Sequence, residues 1–429
     1  MSPAKKKILI LTLGTRGDVQ PFAAVAQRLA ASGHDVVLSS GQGFEEMIAA
    51  AGATSRPVSL NYEDLVTQPN VKEALHSVVG MVKIARWGLQ VQRRIAEELW
   101  QIGLDTRPDL ILFNPKGVVG TLLGRALKVP AIPVMMQPLF SVTGAFPPQM
   151  FNLPNLDPAL NRLLHRAFIA LLDKGMRPSL KSVLGRLSPD FPADRLLSGH
   201  LPSGAPAPRL QAYSATLTGI SDDWPSTDPV TGYWFKDPDP DYVPPKDLAT
   251  FLDAGPAPVY VGFGSMPSRK PAELTRTILD AIEATDIRAI VALGWGGLEA
   301  GALQPRLRER VHVLKSVPHS WLFPHCAAVV HHGGAGTTHE GLRWGRPSLV
   351  CPVFGDQPYW GRQVARLGAG PPPLRAKKLT ADKLAGALRD LETPDYAKAA
   401  ARIAEKMAAE GGVDEAATRL EAVLAGDVR

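Results

Sequence analysis

Between residues 329 and 347 the chain reads VVHHGGAGTTHEGLRWGRP. An apolar run ends in His331 and His332, and a Gly-Gly-Ala-Gly stretch with two threonines leads into a helical pattern that starts around Thr337. Glycines let a ligand approach the backbone closely. The free N–H groups of a helix start, with the helix dipole behind them, attract anions. One histidine and the hydroxyls of Thr337 and Thr338 would add donors, so the chemistry this pattern suits is the holding of a diphosphate. If the strand runs through both histidines they point to opposite faces, and only one of them reaches the ligand. Thr337 to Glu340 also spells a capping box, in which Glu340 would satisfy only backbone donors. His319, His325, Cys326, His331, His332 and His339 crowd this region, but they fall on strand, loop and helix without the spacing of a zinc site. No metal site is expected.

The elements that must position such a loop alternate along the chain. ILILTL (8–13) suits a strand buried on both faces, GTRGDV follows as a loop, and PFAAVAQRLAASGH reads as a helix with Pro21 in its first turn. Further strands are expected at 35–40, 110–114 and 131–136, with a helix over 118–127. Residues 222–248, dense in proline and aspartate, break the pattern. It restarts with strands at 258–263, 287–293, 327–331 and 347–351 and a helix near 271–284. Strands alternating with helices imply parallel, doubly wound sheets. The expected organisation is an α/β protein with domains at 1–235 and 250–429, a linker at 236–249, and a last helix able to pack back on the first domain. Ligands of such sheets bind at the carboxyl ends of the strands, so two facing domains would enclose one cleft.

The bulk properties agree. The 429 residues exceed one ordinary core, and a formal charge of +6 does not call for nucleic acid. Two cysteines imply no disulfide framework and a reducing compartment. The apolar run after the first lysines is shorter than a signal peptide requires, and no stretch has the length of a membrane span. A cytoplasmic protein is expected, with peripheral contact at a membrane left open. Segment 159–187 bears on that contact. Its apolar residues at 160, 163, 164, 167, 168, 171 and 172 follow helical spacing, and six Lys or Arg stand against one Asp. Such a face either packs on its own domain or rests on an anionic bilayer.

VPHSWLF (317–323), HHGGAGTTHEGLRWGRPSLVCPVFGDQPYWGRQV (331–364) and GAGPPPL (368–374) resemble the donor-binding region of the sterol 3-β-glucosyltransferases, within the UDP-glycosyltransferase superfamily. LTLGTRGDVQPFAAVAQRLAASGHDV (11–36) is similar to that family's opening, and VYVGFGSMP (259–267) to its interdomain strand and loop. The resemblance is weak over 60–105 and 140–210. It implies a GT-B fold, in which two Rossmann-like domains face each other, the first for the acceptor and the second for the nucleotide sugar. It also implies inverting transfer of a hexose from a UDP-sugar, as co-substrate rather than cofactor and without a metal. His332 then matches the residue that contacts the diphosphate, inside a cradle of Gly334, Gly336, Thr337 and Thr338. Glu340 stands where the family binds ribose, Asp356 and Gln357 where it grips sugar hydroxyls, and Val317 and Trp321 where it holds uracil. Ser265 would approach the phosphates. Asp356 and Gln357 also read as a plain helix start ahead of Pro358.

Inversion needs a base for the acceptor hydroxyl. Asp18 is the candidate, in GTRGDVQP, where the plant enzymes of the superfamily place a histidine in a G-H-x-x-P pattern and the sterol enzymes resemble this aspartate form. Its plainer role is a helix-cap or loop hydrogen bonder. Arg16 is either a diphosphate contact or a solvated loop arginine. The expected acceptor is a lipophilic hydroxyl compound such as a sterol. A polyketide, macrolide or glycolipid acceptor with a UDP- or TDP-deoxysugar is the nearest alternative, and a nucleotide-sugar epimerase a more distant one. A NAD-dependent oxidoreductase is disfavoured, because neither glycine loop reads G-x-G-x-x-G with an acid about 20 residues on. A non-catalytic sugar-binding protein could dispense with Asp18.

Overall fold

The computed structural model describes residues 5–61, 78–151, 153–188, 191, 195–264, 271–292, 305–353 and 355–426. The chain forms two compact units. The first holds Met1–Tyr213, Ile220–Lys236 and Gly411–Arg429, and the second holds Ser214–Gly219 and Asp237–Glu410. The expected linker thus contains a crossing at Asp237, two more crossings flank Ser214–Gly219, and a fourth falls before Gly411.

The first unit is built on a parallel six-stranded sheet, ordered β3 (Thr54–Ser55), β2 (Asp35–Ser39), β1 (Lys7–Leu11), β4 (Leu110–Phe113), β5 (Ala131–Met135), β6 (Leu210–Gln211). Alternate residues of β1 enter different layers: Ile8 and Ile10 pack with Phe22 and Val25 of the helix Arg16–Ala31, while Leu9 and Leu11 pack with Leu99 and Leu122 on the other face. This two-sided burial explains the unbroken apolar run, since a strand with one wet face would alternate. The last helix, Gly412–Ala425, closes the first layer with Ala416, Ala417, Leu420 and Val423.

The second unit carries a parallel five-stranded sheet, ordered β11 (Ser348–Val350), β10 (Ala328–His331), β7 (Val259–Gly262), β8 (Ala289–Ala292), β9 (Val311–Leu314). Val259 and Val261 face one layer and Tyr260 the other. In each sheet the strand order reverses beside the first strand, between β1 and β4 and between β7 and β10. At such a switch point the two flanking loops turn to opposite faces and leave a crevice where α/β proteins bind ligands.

Several boundaries differ from the sequence reading. The first helix begins at Arg16, so Pro21 lies inside it rather than in its first turn. The segment 159–187 is not one helix. It runs as helix Pro158–Met176, a 3-10 turn Arg177–Leu180 and a short helix Lys181–Leu184. Pro178 sits at the break, where it can neither donate an N–H nor fit behind the preceding turn. Among the described residues no helix is long and apolar enough to cross a membrane.

Candidate active site

The loop that follows β10 occupies the switch point of the second sheet. His331 ends the strand fully buried, with Nδ1 accepting from the Gly333 N–H at 3.0 Å. Burial, with His332 and His319 nearby, holds its pKa well below the ordinary value. His332 turns the other way. Its half-buried ring has Nδ1 sealed from solvent and unpartnered among the described residues, which leaves Nε2 as the edge able to meet a ligand. Desolvation lowers its pKa to about 4, so the ring is neutral at physiological pH. An orphaned N–H costs more than an orphaned lone pair, and the proton therefore belongs on Nε2, aimed outward.

Two glycines make room for that ring. A Cβ on Gly264, two residues beyond β7 and at φ +59°, would stand 3.0 Å from His332 Cε1, and one on Gly334 would stand 2.7 Å from Nε2. The helix starts at Ala335, two residues earlier than the sequence suggests, with Gly334 as its N-cap. The N–H groups of Ala335, Gly336 and Thr337 then lie in the first turn, where a helix has no acceptor for them, and they point out of the helix start beside His332. This start also removes the capping-box reading of Thr337 and Glu340. Glu340 stands mid-helix, nearly buried, and its Oε1 accepts from Trp344 Nε1 at 2.8 Å. Thr338 needs a correction too. It is fully buried and its hydroxyl donates to the Gly334 carbonyl at 2.9 Å, so it supports the loop and gives no donor to a ligand. Thr337 stays half-buried at the helix start.

Desolvation, opposed by Arg343 and Trp344, pushes the Glu340 carboxyl up to about 7. A carboxylate offers more acceptor sites to a pair of ribose hydroxyls than the acid does. If Glu340 holds the ribose, donor affinity increases as pH rises through about 7, by about tenfold between pH 6 and pH 8, and Glu340→Gln abolishes the trend. Titration of a UDP-sugar followed by calorimetry reads this, and a flat wild-type profile would detach Glu340 from the ribose.

The remaining donor-side candidates are partly engaged. Asp356 is the N-cap of helix Gln357–Arg366, and its Oδ2 accepts from Trp360 Nε1 at 2.8 Å. Gln357 is nearly buried and its Oε1 accepts from the Val353 N–H at 2.8 Å. The expected helix start is present, one residue ahead of Pro358, and Gln357 offers less than a free amide. Val317 is buried in the core layer under Tyr260. Trp321 is half-buried, stacked on His325 at 4.6 Å and flanked by Tyr242 at 5.4 Å, so an aromatic wall exists in the segment expected to hold a base. Ser265 lies outside the described residues. Among them no group of three His, Cys, Asp or Glu is arranged to hold a metal ion.

The switch point of the first sheet carries Asp18. It is the third residue of its helix, and its Oδ2 accepts from the Thr15 N–H at 2.8 Å, so the capping role weighed from sequence is real. Its Oδ1 meets Lys116 Nζ at 2.9 Å. Lys116 arrives from the loop after β4, where Asn114 binds the Lys116 and Gly117 N–H groups through Oδ1 and donates through Nδ2 to Thr12 and Leu13 after β1. Asn114 thus staples the two loops that border the crevice. Sequence reasoning missed Lys116, although a lysine three residues beyond a buried strand, in LILFNPKG, was a usable signal. Arg16 has an exposed side chain whose Nε donates to Gln20 Oε1 at 3.0 Å, and partial burial of its guanidinium lowers its pKa.

Gly14 allows Asp18 to fold back. Its φ is +140°, and a Cβ there would fall 2.0 Å from Asp18 Oδ2. Gly14→Ala should displace the carboxylate, cost about 1–3 kcal/mol of stability and reduce turnover at least as far as loss of the base does. Thermal melting together with rate measurements checks this, and an unchanged rate would show that the position of Asp18 is immaterial.

Residues 8–96 match the N-terminal domain of glycosyltransferase family 28, and residues 276–423 match the C-terminal domain of the erythromycin biosynthesis protein CIII-like family. Two sterol 3-β-glucosyltransferases of Arabidopsis thaliana are 33% and 32% identical to 95% of the chain, which spans 64% and 66% of their respective lengths. In fold, the chain is similar to a kitacinnamycin glycosyltransferase (TM-score 0.66, 21% identity, 98% of this chain and 99% of that one). It is also similar to the glycosyltransferase VinC in complex with dTDP (TM-score 0.60, 19% identity, 98% and 100%). Paired parallel sheets of this kind define the GT-B class of glycosyltransferases. The chain thus has the GT-B fold, and in sequence it is similar to sterol 3-β-glucosyltransferases over about two thirds of their length.

Proposed function

We propose that the chain transfers a hexose, glucose in the first instance, from a UDP-sugar to the hydroxyl of a lipophilic acceptor of the sterol kind, with inversion at the anomeric carbon. The observation that carries this reading is the loop after β10, where the His332 ring packs against Gly334, the N-cap of a helix whose first three N–H groups have no acceptor within the helix. Donors fixed before the reaction stabilise the charge that develops on a departing diphosphate, and they do so without the cost of reorienting solvent. Asp18 is the base in this reading. Its two oxygens hold the Thr15 N–H and Lys116 Nζ and still have an acceptor site for the hydroxyl proton. The sugar and acceptor follow the names of the Arabidopsis relatives.

The helix start supplies positive potential where a metal would otherwise be needed, so turnover is expected to survive EDTA unchanged. Incubation with UDP-glucose and a mixed sterol and lipid-alcohol library, with product read by mass, tests the whole reading. A glucosylated sterol supports it. Conversion of UDP-glucose alone, seen by proton NMR, would mark an epimerase instead. A second reading, transfer of a TDP-sugar to a polyketide, draws on the dTDP held by VinC, and the same assay with TDP-sugars and polyketide aglycones separates the two.

A further inference from the structure

Among the described residues seven large apolar side chains stand exposed, and five of them fall within 151–171: Phe151, Leu153, Leu160, Leu163 and Leu171. On the helix Pro158–Met176 the exposed stripe runs Leu160, Leu163, Ala167, Leu171, at spacings of three and four, so these side chains line one face over roughly 16 Å. Leu163 is 59% and Leu171 68% exposed. The opposite face is the packed one, with Phe168, Ile169, Leu172 and Met176 against the core. Phe151 extends the patch sideways, with its ring 5.3 Å from that of Phe168.

The helix cannot roll to hide this stripe. Fully buried Asn161 donates to the Gly144 carbonyl at 2.8 Å, His165 is bonded to the Phe146 carbonyl at 3.1 Å, and Asp173 accepts from the Leu196 N–H at 2.6 Å. The face is therefore presented outward by design of the polar anchors beneath it. Its borders are cationic. Arg166 and Lys174 stand exposed on the same helix and Lys181 just beyond, and among the described residues none of the three meets a carboxylate at ion-pair distance. The single acid of the segment, Asp173, is taken by Leu196 and Arg177.

We infer that this face docks the protein on the surface of an anionic bilayer, with the leucines and Phe151 entering the headgroup boundary and Arg166, Lys174 and Lys181 pairing with lipid phosphates and carboxylates. A second copy of the chain is the poorer occupant, because a two-fold contact would set the cationic borders against each other. The inference goes beyond the catalytic reading and does not depend on it.

The test is co-sedimentation of the full chain with vesicles of phosphatidylcholine containing about one third phosphatidylserine, compared with phosphatidylcholine alone. The protein should sediment with the anionic vesicles and be released by salt. Leu163→Glu with Leu171→Glu should lower the bound fraction on the order of tenfold, with an unchanged melting temperature. Arg166→Gln with Lys174→Gln should remove the preference for anionic vesicles. Failure of the wild type to bind, or equal binding by the leucine variant, would overturn the proposal. So would a dimer in sedimentation velocity that the leucine variant dissolves, since the face would then be a contact between copies. None of these readouts uses turnover, so they separate from the fate of the catalytic reading.

Discussion

Asp18→Asn is expected to lower turnover by a factor on the order of 10² to 10⁴, the range over which a positioned general base acts, and to leave donor binding unchanged. The substitution is well suited to the question. The asparagine carbonyl oxygen can take over the bond from the Thr15 N–H, 2.8 Å from Asp18 Oδ2, so the helix start keeps its cap. What disappears is the acceptor for a proton and the anionic partner of Lys116 Nζ. That ion pair joins side chains 51% and 28% exposed and adds at most about 1 kcal/mol to stability, so the fold should survive. Single-turnover rates on UDP-glucose with a responsive acceptor, together with calorimetric UDP binding, provide the two readouts. A rate within a few-fold of the wild type would reduce Asp18 to a helix cap. Lys116→Met supplies a companion: the cap remains but the carboxylate is free to rotate, and a smaller loss, about three- to tenfold, is expected from misorientation alone.

Both sheets could be read from the chain because their central strands are buried on two faces. ILIL and VYVG have no polar residue to obscure them, and each is followed by a glycine loop. What escaped was short or interrupted. β9 carries His312 in VHVL, which breaks the apolar run, while β3 and β6 have two residues each and no periodicity to detect. At the candidate site, the place of His332 and the glycines between strand and helix was legible, because an apolar run that stops at a glycine stretch marks a strand end. The fate of individual side chains was not. Thr338 and Gln357 look like ligand donors by type, yet their polar atoms are bound to the Gly334 carbonyl and the Val353 N–H, contacts fixed only when strand, loop and helix come together. Lys116 was hidden for the same reason, since it is 98 residues from the aspartate it meets. Stripe and packed face on Pro158–Met176 were both apolar in the sequence. Only the buried Asn161 and His165, polar residues that sequence rules place outside, decide which one turns inward.

His332→Ala should weaken UDP-sugar binding by about 10- to 100-fold, the equivalent of one hydrogen bond to a charged group lost from a desolvated site. The form of the loss carries more information than its size. Burial lowers the pKa of this ring to about 4, so it enters the complex as a neutral donor, and its contribution is a hydrogen bond rather than a charge. The ratio of wild-type to variant affinity should then stay constant between pH 6 and pH 8, even while Glu340 titrates in both proteins. Salt should likewise leave the ratio unchanged, because screening acts on charges and hardly on a neutral N–H donor. A ratio that collapses as pH rises would mean that the ring binds as a cation, and that the anion seat works by charge. Because the N–H groups of Ala335, Gly336 and Thr337 remain in place, residual binding should persist in the variant; its complete loss would show that the helix start alone cannot hold a diphosphate.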